Sequence, residues 1–153
     1  EQAVKVWAAP SLSNTVLDAY RPTAERLSGY SITDHPHLAD GGSMHVLFEE
    51  LRKEILAIDP CVIEEILKLY IAYKAETNFV DIVPQKNRLR LSLNMHFHEL
   101  NDPREIAKDV TNLGRWGNGD VEVGLNRPED IPYVMGLVRQ AFEKQMGNGT
   151  ETE

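Results

Sequence analysis

The chain has 153 residues, 42% hydrophobic and 26% charged, and its 24 acidic against 16 basic residues give a net charge of -8. That length supports one core-forming domain without disulfide or metal staples, and the composition excludes wholesale disorder. The negative balance works against non-specific attraction to phosphate backbones or anionic lipid, though not against a local basic patch, and no apolar run approaches the length of a membrane span.

The single cysteine, Cys61, cannot form an intramolecular disulfide, which fits a reduced, cytoplasmic compartment. There is neither a signal-peptide core nor an initiating Met, so the sequence reads as a fragment of a longer chain. Glu1 to Ala9 read as the last turns of a helix, with Val4, Trp7 and Ala8 on one side and Pro10 stopping it. From Ser11 to Gly42 the chain carries Pro22, Pro36, Gly29, Gly41 and Gly42 without sustained periodicity, which predicts a linker. Residues 1-42 are therefore assigned to the end of an upstream module and a linker, 43-147 to an α+β domain, and 148-153 to a disordered tail.

Ser43 is positioned as an N-cap, and Leu47, Leu51, Ile55 and Ile58 recur behind it at helical spacing, predicting an amphipathic helix that ends near Asp59-Pro60. The run Val62 to Lys74 fits both a helix and a strand, and is read as a turn followed by a strand from about Ile66. Phe79 to Val83 and Leu89 to Leu93 are strands bracketing a hairpin turn, with Pro84 at a strand end because it cannot donate to the ladder. In the second strand Leu89, Leu91 and Leu93 share one face, leaving Arg88, Arg90 and Ser92 on the other, so one face is expected to be core and the other basic.

Asn101-Asp102-Pro103 predicts a short helix with Pro103 at its first position and Ile106, Ala107 and Val110 on one side. The glycine-rich loop Gly114 to Gly119 then feeds a strand from Asp120 to Leu125, with Val121, Val123 and Leu125 facing in. Asn126 and Glu129 are spaced as a capping box around Pro128, and Ile131, Val134, Met135, Val138 and Phe142 give the last helix its apolar stripe up to Gly147. The expected fold class is α+β, a small antiparallel sheet flanked by amphipathic helices.

No catalytic or metal signature emerges from the spacing. His35-Pro-His37 and His96-Phe-His98 are HxH pairs, but a structural site needs three or four converging ligands. A PD-(D/E)xK nuclease would need acid-x-Lys on adjacent strands, whereas Asp81 and Lys86 are wrongly spaced. Ser92 lies on a strand rather than a nucleophile elbow, Cys61 has no cation beside it, and the loop at Gly114 lacks the Lys-Ser/Thr of a P-loop.

What remains is a surface patch. Lys68, Tyr70, Lys74, Lys86, Arg88, Arg90, Arg115 and Trp116 combine cations for phosphate with aromatics for stacking on a base. The blander reading is that Trp116 caps the core and that Arg88 and Arg90 pair across strands with Glu122.

The stretches YIAYKAETNFVDIVPQKNRLRLSLN, LNDPREIAKDVTNLGRWGNGDVEVGL and IPYVMGLVRQAFEKQ resemble a bacterial domain of unknown function, the family numbered 5655, over about Met44 to Gln145. The resemblance implies a domain found alone or at the C-terminal end of larger proteins, including GmrSD-type, modification-dependent restriction endonucleases with a ParB-like NTPase module and a His-Asn-His nuclease module. The leading AVKVWAAPSLSNTVLDAYRP resembles the end of that nuclease module. In outline the order of elements is also similar to YjbR-type α+β domains, a likeness of architecture that does not fix function.

The expectation is a non-catalytic accessory domain of a restriction or anti-phage defence protein, aiding DNA recognition or positioning the nuclease. Its expected partners are DNA and the upstream NTPase and nuclease modules, with no membrane and no cofactor. A protein-interaction or homodimerisation module is the alternative, and an unrecognised metal-dependent nuclease the second alternative.

Overall fold

The computed structural model of the chain describes residues 29-111, 113 and 119-147. Among these residues two α-helices, α1 (His45–Leu56) and α2 (Ile131–Gly147), accompany six strands: β1 (Ile63–Ile66), β2 (Ile71–Lys74), β3 (Asn78–Pro84), β4 (Leu89–Leu93), β5 (Lys108–Asp109) and β6 (Val121–Leu125). The strands form one antiparallel sheet in the order β1-β2-β3-β4-β6-β5. The architecture is α+β.

Alternation along the strands decides which residues meet the helices. Ile66, Ile71, Ile82, Leu91 and Val123 are cross-strand partners or neighbours in one row, and all are buried in one core cluster. Val80, Leu93 and Val121 form a second such row. Leu47, Phe48, Leu51 and Ile55 of α1 and Val134, Met135, Leu137, Val138 and Ala141 of α2 bury into the same cluster. The stripe expected along each helix is therefore the packed one, and Phe142, half-buried, meets Phe79 edge-on at 5.2 Å between ring centroids.

One polar network lies between α1 and the sheet. Glu64 accepts two hydrogen bonds from Arg52, at Nε and Nη2, both 2.8 Å, and a third from the Tyr73 hydroxyl at 2.8 Å. Arg52 also reaches Glu49 at 3.2 Å and stacks over the Phe48 ring. Burial first, then the adjacent Glu64 carboxylate, pushes the Tyr73 hydroxyl well above its usual range, so it serves as a neutral donor. For Arg52, burial works against the charge, but the hydrogen bonds and charge of Glu64 prevail and hold the guanidinium ionised.

Several local expectations are corrected. The single strand read from Ile66 is a hairpin, β1 and β2, closed by Leu67 N–H donating to the Tyr70 carbonyl at 2.8 Å. Met44, not Ser43, is the N-cap of α1, because the Ser43 hydroxyl donates to the Lys86 carbonyl at 2.7 Å. No helix starts at Pro103: Asp102 accepts from Ala107 N–H at 2.8 Å and from the Tyr133 hydroxyl, Glu105 sits at φ 55, and the chain goes directly into β5. The Asn126–Glu129 capping box is absent, since Arg127 is the N-cap of a 3-10 turn, Pro128–Asp130, that leads into α2.

The segment before α1 is packed where residues 29-42 are described. Leu38 is fully buried in the core, His35 Nε2 contacts the Leu67 carbonyl at 2.8 Å, and His45 Nδ1 contacts the Leu38 carbonyl at 2.9 Å. The linker predicted from composition thus gives way to ordered chain before residue 43. The terminal helix predicted at Glu1 to Ala9, most of the linker and the tail at 148-153 lie outside the described residues.

Candidate functional site

The face of the sheet opposite the core rows is polar, but not basic. Cross-strand pairing sets Glu65, Ala72, Asp81, Ser92, Glu122 and Lys108 in one row across all six strands. Asp81 is fully buried, and Ser92, Glu122 and Arg90 are 5%, 5% and 9% exposed. The Asn78 amide donates to Asp81 at 2.7 Å, and Lys74 pairs with Glu65 at 2.5 Å. Along this row Glu65, Asp81 and Glu122 alternate with the uncharged Ala72 and Ser92, and cations from flanking positions reach two of the carboxylates, Lys74 at Glu65 and Arg88 at Glu122. The basic face expected from Arg88, Arg90 and Ser92 is corrected accordingly: Glu65, Asp81 and Glu122 share that face, and Glu122 pairs with Arg88.

Arg88 illustrates the device. Its Nε donates to Gln85 Oε1 at 2.8 Å and its Nη2 to Glu122 Oε2 at 3.3 Å, the cross-strand pairing the sequence allowed for. To reach Glu122 the guanidinium lies over Gly124, where a Cβ would stand 2.9 Å from Nη1. A side chain at 124 would displace it.

The strand order places two hairpin turns on the same edge of the sheet. The turn after β1, held by Leu67 and Tyr70, and the turn after β3, held by Gln85 N–H donating to the Arg88 carbonyl at 2.9 Å, are separated by roughly two strand spacings, ~10 Å. This edge gathers Lys68, Tyr70, Lys86 and Arg88. Lys68 and Lys86 are exposed and take part in no ion pair among the described residues. Tyr70 is half-buried, and burial first, then the nearby Asp81 and Glu65 carboxylates, raises its hydroxyl above the ordinary range, so it stays a neutral donor.

Of the eight predicted site residues, four therefore come together. Lys74 lies at the far end of β2, Arg90 is buried in mid-face, and Arg115 and Trp116 lie outside the described residues. Among the described residues no three or more His, Cys, Asp or Glu side chains are grouped to hold a metal ion. What spacing missed was the buried row of Asp81, Ser92 and Glu122. A signal existed, since Asp81 interrupts the otherwise apolar run Phe79-Val80-Asp81-Ile82-Val83.

A model of the family described as "Domain of unknown function (DUF5655)" matches residues 37–145. The chain is 39% identical over 108 residues to an "Uncharacterized protein" of Haemophilus influenzae (strain ATCC 51907 / DSM 11121 / KW20 / Rd). That alignment takes in 70% of this chain, and the chain spans 36% of the relative's length. No solved structure matches. Among the described residues no helix is long and apolar enough to cross a membrane.

Proposed function

The chain belongs to the DUF5655 family of domains, and from that premise we propose that it is a non-catalytic accessory domain of a larger DNA-acting protein, adding a phosphate-directed contact through its hairpin edge. The observation that carries the reading is the convergence of Lys68, Lys86 and Arg88, with Tyr70 beside them, from two separate turns onto one edge. A relative of which this domain would be only a part supports the accessory role. The resemblance of residues 3-22 to the end of a His-Asn-His nuclease module supports a restriction or defence setting, in which the domain would help position the nuclease.

The contact is modest by construction. With Arg88 already paired to Glu122, Lys68 and Lys86 neutralising two phosphates give a salt slope of about -1.8, or roughly 12-fold weaker binding between 50 and 200 mM salt. A chain of net charge -8 adds no attraction of its own. Fluorescence anisotropy with labelled plain and hydroxymethylated duplexes, titrated at low and moderate salt, tests this. Lys68→Ala with Lys86→Ala should lower affinity and bring the slope close to zero. Unchanged affinity and slope in that variant would remove the edge from the account, and a preference for the modified duplex would add modification sensing to it.

A second reading has its own observation. Lys74 and Arg88 are already paired with Glu65 and Glu122, and Leu69, 45% exposed, sits between Lys68 and Tyr70, a mixture suited to a protein partner or a second copy. A dimeric light-scattering mass, with no DNA binding at low salt, would favour it.

A further inference from the structure

At the opposite end of the sheet from the hairpin edge, the chain leaving β4 and the last turns of α2 enclose a cleft of about 580 Å³, lined among others by Asn94, His96, Glu99, Asp120, Lys144 and Gln145. The cleft walls are fixed by backbone and amide contacts. Asn94 N–H donates to the Phe79 carbonyl at 3.0 Å, Gln145 Nε2 to the Asn94 carbonyl at 2.6 Å, and Thr77 Oγ1 to Gln145 Oε1 at 2.5 Å. The Asn94 amide is likewise committed, to the Asn78 carbonyl at 2.7 Å. These amides hold the walls and leave recognition to the charged groups.

Those groups form two pairs. His96 Nδ1 lies 3.1 Å from Asp120 Oδ2, and His98 stacks on the His96 ring at 5.6 Å with an interplanar angle of 18°. In the tautomer that directs Nδ1–H at the carboxylate, the lone pair of the ring lies on Nε2. Lys144 Nζ lies 3.3 Å from Glu99 Oε1. Among the described residues, His96 Nε2 and the second oxygens of Asp120 and Glu99 accept no hydrogen bond. Two carboxylates, Asp120 and Glu99, thus share the cleft with one ammonium, Lys144.

The geometry points to this cleft as a binding site for a cationic N–H donor, a guanidinium or primary ammonium group. Lys144 is the internal precedent, an ammonium of the chain already seated on a cleft carboxylate. A ligand cation would take the open oxygens of Asp120 and Glu99 and donate to His96 Nε2, with the negative field of a chain of net charge -8 drawing it in. The same group could arrive on a free small amine or on a basic side chain of a partner protein. The site shares no residue with the hairpin edge, so it stands or falls independently of the function proposed above.

The test is NMR of the histidine ring resonances in the full chain near neutral pH, titrated with agmatine, with a short acetylated and amidated peptide containing one arginine, and with inorganic phosphate. Agmatine should shift the His96 and His98 rings saturably. Glu99→Gln and Asp120→Asn should each weaken it about tenfold, the loss of one charge-assisted hydrogen bond. Lys144→Gln should strengthen it, because the competing ammonium is gone, whereas for an anionic ligand the same change would weaken binding. Unchanged amide spectra away from the cleft check that the variants are folded. Tighter binding of the peptide than of agmatine assigns the cleft to a partner's side chain, and the reverse order to a free amine. Phosphate binding that Lys144→Gln abolishes, or no saturable shift at millimolar agmatine, overturns the proposal.

Discussion

Replacing Glu64 by leucine should be far more damaging than removing the whole network to which Glu64 belongs. In the native chain Glu64 takes two hydrogen bonds from Arg52 and one from Tyr73, whose side chain is fully buried. Glu64→Leu leaves a guanidinium without its bidentate partner and a buried hydroxyl without its acceptor. Breaking a buried pair by removing one member costs ~3 to 5 kcal/mol. The Arg52 side chain is 27% exposed and keeps Glu49 at 3.2 Å, which puts its share at the lower end, about 3 kcal/mol. The orphaned Tyr73 hydroxyl adds roughly 1 kcal/mol or more. The sum is about 4 kcal/mol, and with a urea m-value near 2 kcal/mol/M the unfolding midpoint should drop by about 2 M.

The triple variant Arg52→Met, Glu64→Leu, Tyr73→Phe removes the buried members together and leaves only Glu49, whose side chain is 39% exposed and keeps its hydration. Well-packed apolar replacements of buried ion pairs are neutral or stabilising, so its midpoint should lie within about 0.5 M of wild type. Urea unfolding followed by circular dichroism measures both. If the triple variant loses as much as the single one, the cost lies in packing shape rather than in a stranded charge, and the reasoning fails.

The other predictions concern the sheet ends and pH. Gly119 has φ +100 and a Cβ there would collide with the Leu93 carbonyl, so Gly119→Ala should cost ~2 kcal/mol or more in the same urea assay. Gly124→Ala should push Arg88 off Glu122 at a cost of about 1 kcal/mol, and that cost should largely vanish in an Arg88→Ala background, as a double-mutant cycle would show. Burial alone would raise Asp102, but hydrogen bonds from the Tyr133 hydroxyl and from Ala107, Ile106 and Glu105 N–H hold it below the ordinary carboxylate range. A depressed folded value means stability that is present above the unfolded value, near pH 4, and lost as pH falls through the folded one. Thermal unfolding should therefore decline more steeply below about pH 4 in wild type than in Asp102→Asn, and parallel curves would refute the linkage.

Local pattern made α1, β3, β4, β6 and α2 legible: in the two helices the buried side chains recur at helical spacing, in β4 and β6 apolar residues recur at every second position, and β3 is a short β-branched and aromatic run ending at Pro84. The hairpin of β1 and β2 was not. Its turn, Leu67-Lys68-Leu69-Tyr70, has no glycine, asparagine or proline, and alternation runs through it unbroken, so nothing local separates two strands from one. At Asp102-Pro103 the opposite error arose: good helix-start residues were present, but the Asp102 side chain binds across to Tyr133 on α2 and closes a loop.

For the candidate site, the sequence by itself determined which residues are cationic and that Arg90 and Ser92 face away from Leu89, Leu91 and Leu93, since a period of two is a local property of the backbone. It also determined the acidic balance that keeps any phosphate contact modest. Only the tertiary structure decided that Lys68, Tyr70, Lys86 and Arg88 share an edge, that Arg90 is buried, and that His96 meets Asp120. Strand order and register bring together residues far apart in the chain, and no local spacing encodes them; they follow from how six strands and two helices jointly bury one apolar face.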